Sequence, residues 1–72
     1  MKAPRFADII ETAIRREEEA YAFYRDIAEK VDDPAARETC GWIAAEEQKH
    51  RQVLVDYRDG KYGDAPMRMT DV

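Results

Sequence analysis

The chain has 72 residues, 39% of them charged and only 10% aromatic, enough for one small domain but short of apolar material for a self-sufficient core. Its net charge of -4, with no basic cluster, argues against nucleic acid or an anionic membrane surface as a partner. No apolar run is long enough to span a bilayer and Lys2 to Phe6 lead into no signal-type segment, so a cytoplasmic protein is expected. Chains this small usually need a disulfide, a metal or a partner subunit. The lone Cys40 cannot form a disulfide within the chain, which leaves a metal, a homo-oligomer of at least two copies, or both.

Met1 to Arg5, with Pro4, reads as a lead-in to a helix predicted over about 6–31. From Phe6 to Val31 there is no Gly or Pro, and Ile10, Ile14, Tyr21, Tyr24, Ala28 and Val31 recur at alternating spacings of four and three. The position that pattern demands between Ile14 and Tyr21 holds Glu17, a charged residue in the apolar line. A second line, Phe6, Ile9, Ala13, Ala20, Phe23 and Ile27, runs beside the first and makes the apolar face wide. A two-stranded coiled coil needs only a narrow stripe, so this breadth favours a bundle in which the helix touches more than one neighbour. Glu11, Arg15, Arg16, Glu19, Arg25 and Glu29 fall on the outward, solvated side.

Asp32-Asp33-Pro34 ends this helix and starts another, because Asp33 suits an N-cap and Pro34 the first helical position. The second helix is predicted over about 34–59, with Gly41 as an interior weak point and Gly60 as its stop. Residues 1–59 then form one helical hairpin, and 60–72, with Gly63 and Pro66, an irregular tail. The seam of the second helix reads Ala36, Cys40, Ile43, Glu47, His50, Leu54 and Tyr57. Glu47 and His50 are three apart, hence on one helical face, and a Glu-x-x-His pair of this kind can grip one metal ion. Alone the pair is a weak signal, since Glu is common on solvated helices.

Register strengthens it. If the helices fold back about Asp32 and Asp33, a rise of roughly 1.5 Å per residue puts Glu17, Glu47 and His50 at one level, a little over about 20 Å from the turn. Uncompensated charges in a core layer cost several kcal/mol each, so these groups must be exposed, paired with one another, or neutralised by a cation. The bland readings are a solvated Glu17 in the Glu17-Glu18-Glu19 run, a surface His50, and Glu47 paired with Arg51 or Lys49. A small rotation would present Glu18 in place of Glu17, and Glu46 could serve as an outer carboxylate. Tyr21 and Tyr24 read as core tyrosines, Cys40 as a small buried apolar residue, and Trp42 as an interface residue.

The pattern Glu17-x-x-Ala20-x-x-x-Tyr24 followed by Glu46-Glu47-x-x-His50 resembles the rubrerythrin-like branch of the ferritin-like superfamily, over about residues 7–58. The resemblance implies an all-α fold: an antiparallel helical hairpin that dimerises into a ferritin-like four-helix bundle. It also implies a di-iron centre, with Glu17 as the single-helix ligand, Glu47 as the bridging carboxylate and His50 as the terminal imidazole. This chain has one such helix pair, so two copies would each give three ligands to a site near a twofold axis. The encapsulated ferritin-like proteins offer a comparable two-helix arrangement. Cys40 alone cannot supply the rubredoxin-type iron site of full rubrerythrins, so an electron donor would be a separate protein.

Carboxylates with one imidazole per metal are hard and borderline donors, suited to Fe(II) first and Mn(II) second. The function expected is Fe(II) oxidation by dioxygen or peroxide, of ferroxidase or peroxidase type. The alternatives are a non-enzymatic helical oligomerisation module, its seam charges fixing register, and an iron carrier without turnover.

Overall fold

The computed structural model describes residues 5–63. Two helices, α1 (Phe6–Lys30) and α2 (Pro34–Arg58), pack against each other as a hairpin. Its antiparallel sense shows in the cross-helix pairs, since Glu11 meets Arg58, Glu18 meets Arg51 and Glu17 meets His50. Each helix is one residue shorter at its C-terminal end than the sequence spacing predicts, the ordinary spread of helix termini.

The turn is fixed by its own chemistry. Val31, with extended backbone, closes α1 by donating its N–H to the Ile27 carbonyl. Asp33 caps α2 as expected, its Oδ2 accepting the Ala36 N–H at 2.9 Å, and Pro34 takes the first turn, where no amide hydrogen is needed. Arg37 adds a tie the sequence does not advertise. Its Nε and Nη2 both donate to the Val31 carbonyl, at 3.2 and 2.9 Å, bridging the start of α2 to the end of α1.

At the far end of α2, Gly60 adopts φ +84°, which an L-residue with a Cβ rarely tolerates. This lets Lys61 N–H reach the Asp56 carbonyl and Gly60 N–H the Tyr57 carbonyl, the paired bonds of a Schellman cap. A turn at Gly63 follows, and Tyr62 folds back to 6.2 Å from the Tyr57 ring, itself edge-on to Phe6. Residues 60–63 are thus a built cap. The rest of the predicted tail, from 64, and the lead-in before Arg5 lie outside the described residues.

Among the described residues only Ile10, Ile14 and Ala44 are buried. Ile10 and Ile14 belong to the predicted seam of α1, whereas Ala44 does not belong to that of α2. α2 presents its small Ala44 to the partner helix, and the seam residues Ile43 and Leu54 remain half-buried. Phe6, Ile9, Phe23 and Trp42 stay exposed. The hairpin therefore leaves much of its wide apolar face uncovered. No helix among the described residues is long and apolar enough to cross a membrane.

Two positions test this account of the ends. Asp33→Ala is expected to cost about 1 kcal/mol through the lost cap. Gly60→Ala is expected to cost about 1–2 kcal/mol through left-handed strain. Urea denaturation at fixed protein concentration checks both, with a lowered midpoint and an unchanged slope.

Candidate metal centre

The three seam residues that interrupt the apolar pattern meet near the middle of the hairpin. Glu17 comes from α1; Glu47 and His50 come from one face of α2, a single turn apart. His50 Nδ1 lies 3.7 Å from Glu17 Oε2 and 3.7 Å from Glu47 Oε2. One ligand-type atom from each of the three lies within 4.8 Å of the others. Nothing between turn and site disturbs either helix, so the register argument from chain length and rise holds in the structure.

The neighbouring acids are drawn elsewhere. Glu18 faces Arg51, Oε2 to Nε 3.3 Å, and its side chain is 51% exposed against 25% for Glu17. That settles which of the adjacent glutamates enters the cluster. Glu46 is taken by Lys49 at 3.1 Å, so it stands outside the trio. Arg51 and Lys49 are thus engaged by Glu18 and Glu46, and the reading of Glu47 as their salt-bridge partner fails. Tyr21, one turn after Glu17, is engaged by Arg25, its hydroxyl accepting from Arg25 Nη1 at 2.8 Å. Tyr24 packs edge-on against Phe23, and Cys40 is a half-buried free thiol outside the trio.

Sequence reasoning missed Arg51 and Arg58 as partners of Glu18 and Glu11. The signal was present, because each pair is displaced from the other by one heptad on both helices. Such exposed pairs contribute little energy. Their consequence is positional: they line one flank of the hairpin and leave the Glu17 cluster without a lysine or arginine.

Two carboxylates therefore share one imidazole. Burial pushes the Glu17 carboxyl up from 4.5 to about 7, the adjacent Glu47 carboxylate pushes the same way, and His50 opposes them without cancelling the effect. Glu17 Oε2 is buried and has no hydrogen-bond partner. An orphaned carboxylate oxygen beside a second carboxylate and an imidazole lacks a proton or a cation. Oxygen donors with one nitrogen, and no sulfur, fit a hard or borderline divalent ion such as Fe(II) or Mn(II) better than a thiolate-type site. Glu17, Glu47 and His50 are the residues that could hold it.

The raised Glu17 value fixes a sign for the metal-free protein. Between pH 4.5 and about 7 the folded chain keeps a proton on Glu17 that the unfolded chain has released. Its stabilising contribution is complete below about 4.5 and lost as the pH rises through about 7. In the presence of a chelator, stability measured by denaturant is expected to fall across that window. Glu17→Gln, which cannot titrate, flattens the dependence; an identical slope in the variant would refute the assignment.

Neither the curated proteins nor the solved structures contain a match to this chain. The sequence model of one family, described as rubrerythrin, matches residues 7–65. That span takes in Glu17, Glu47 and His50, all of α2, and α1 from its second residue. By this match over most of its length the chain belongs to the rubrerythrin family.

Proposed function

We propose that two copies of this chain pair through the face carrying Glu17, Glu47 and His50, forming a ferritin-like four-helix bundle whose di-iron centre oxidises Fe(II) with dioxygen or peroxide. The observation behind this reading is the trio itself, with Glu17 Oε2 buried and unpartnered. A seam charge retained only to set helix register would be matched by an opposite charge, and here the available arginine and lysine are engaged elsewhere.

Three donor side chains are too few to hold two ions, and a second trio from a partner copy completes the set. Two further features support the pairing. Glu17 and Glu47 lie close to the midpoint of their respective 25-residue helices, so copies related by a twofold through the site overlap along their whole length. The exposed Ile9 and Phe23 belong to the second apolar line of α1 and supply surface for a neighbour to cover.

A bound pair of iron ions supplies two electrons to one molecule of oxidant. The chain's own residues bind and orient. Glu47 and His50, fixed one turn apart on a straight helix, set the spacing of two donors, and Glu17 closes the third side from α1. Glu17 also gives up, on metal binding, the proton that burial holds on its carboxyl group. Covering the trio with a second copy would restrict water there, which would strengthen every charge interaction in the site.

Anaerobic Fe(II) loading, followed by elemental analysis and the mass of the assembly in solution, tests the reading. About one iron per chain in an even-numbered oligomer is expected. Iron-stimulated consumption of dioxygen or peroxide should disappear in Glu47→Ala and His50→Ala. Iron uptake without consumption of either oxidant would reduce the protein to a carrier. A metal-free oligomer whose melting is indifferent to chelator would make it a packing module instead.

A further inference from the structure

We infer that the open end of the hairpin carries a docking groove for the chain's own continuation, residues 64–69, with the Met67 side chain seated against Phe6 and Tyr57. The groove measures about 350 Å³ and is lined by Phe6, Ala7, Ile10, Tyr57, Arg58 and Gly63. It is apolar apart from Arg58, whose guanidinium is engaged by Glu11 and Asp59. Phe6 meets Tyr57 edge-on at 5.7 Å and is still 58% exposed, so a ring at the end of the core lies open on one side.

The occupant follows from where the chain goes. Gly60 and Gly63 both take left-handed φ, +84° and +60°, and Gly63 N–H donates to the Gly60 carbonyl at 3.1 Å. These reversals bring Tyr62 beside Tyr57 and make Gly63 itself part of the groove wall. Asp64 therefore starts at the groove. At roughly 3.3 Å per residue, Met67 comes at most about 13 Å further on. A segment tethered so closely has an effective concentration on the order of millimolar, which a separate molecule has to match with its own.

The residues that follow suit the groove. Pro66 holds Ala65 extended and lowers the entropy lost on ordering the segment. In an extended segment alternate residues share a side, which groups Ala65, Met67 and Met69 and puts Pro66 and Arg68 on the other. Methionine fills irregular apolar space, and its thioether makes favourable contacts with the edges of aromatic rings. Charge agrees. α1 starts at Phe6 without a side-chain cap, so the amides of its first turn carry unneutralised partial positive charge. Phe6 and Ala7 line the same groove as Gly63, and the Asp64 carboxylate enters beside them.

The match to the rubrerythrin model ends at residue 65, so Met67 and Met69 lie outside the family pattern. The contact is made within one chain, at the ends of the helices, and depends on neither the pairing nor the metal proposed above.

Methyl NMR of the full chain tests it, with the methionine methyls carbon-labelled and a chelator present to exclude paramagnetic ions. Of Met1, Met67 and Met69, Met67 should show a methyl shifted upfield by ring current, with cross-peaks to Phe6 and Tyr57. Both features should survive dilution, and both should survive Ile9→Glu, a change on the face proposed to pair and outside this groove. Met67→Glu should lower the melting midpoint by roughly 5 °C at fixed protein concentration, with helical circular dichroism unchanged. A Met67 methyl at the shift of free methionine and without cross-peaks would overturn the inference, as would an unmoved midpoint in Met67→Glu. Cross-peaks that fade on dilution, or are lost in Ile9→Glu, would give the groove to another copy of the chain and overturn it equally.

Discussion

The repulsion between the Glu17 and Glu47 carboxylates is the constraint on which the rest of the structure depends. The two acids are delivered by different helices to one level, each 3.7 Å from the same imidazole nitrogen. A surface layer would relieve the strain by turning either side chain into water. Here the position of Glu17 is fixed by the burial of Ile10 and Ile14 on the same helix, because rotating the helix to carry Glu17 outward would expose them too. The hydrophobic contact between the helices thus keeps an electrostatically unfavourable arrangement in place. That arrangement lowers its free energy by taking up a proton or a cation.

The distribution of the remaining charge follows from this. Glu11 and Glu18 have arginines across the helix pair, Glu46 has Lys49, and Asp56 has Lys61. None of these exposed pairs adds much stability. Together they keep the basic side chains near the cluster away from it, so its negative charge is not neutralised from within the hairpin. Among the described residues the seam acids Glu17 and Glu47 meet no lysine or arginine, only His50.

Much of this was legible in the sequence because the signals were periodic. The break of the seam at Glu17, the spacing of Glu47 and His50, and the Asp33-Pro34 start together gave the two helices and the level at which they meet. What was not legible depended on rotation about the helix axes. Ile43 and Ala44 are both plausible contact residues by spacing, and it is Ala44 that is buried while Ile43 is half-buried. The assignment of Glu17 over Glu18 likewise needed the position of Arg51, a residue whose pattern alone marks it as solvated. The two hydrogen bonds that Arg37 donates to the Val31 carbonyl and the folding back of Tyr62 depend on turn geometry, which carries no period at all.

A hairpin with three buried side chains among its described residues has little stability of its own to spend on an unpaired acid. In the shared site proposed above, metal binding and chain pairing become one equilibrium. An ion that binds the paired state more tightly than the single hairpin strengthens pairing, and by linkage pairing strengthens the hold on the ion by the same factor. The exposed apolar line of α1 and the unbalanced carboxylates are then not separate weaknesses. The first drives association weakly and without direction. The second makes the correct register the one in which two trios face each other, because only there is their charge neutralised by a common cation, and any slipped register leaves acids buried without one.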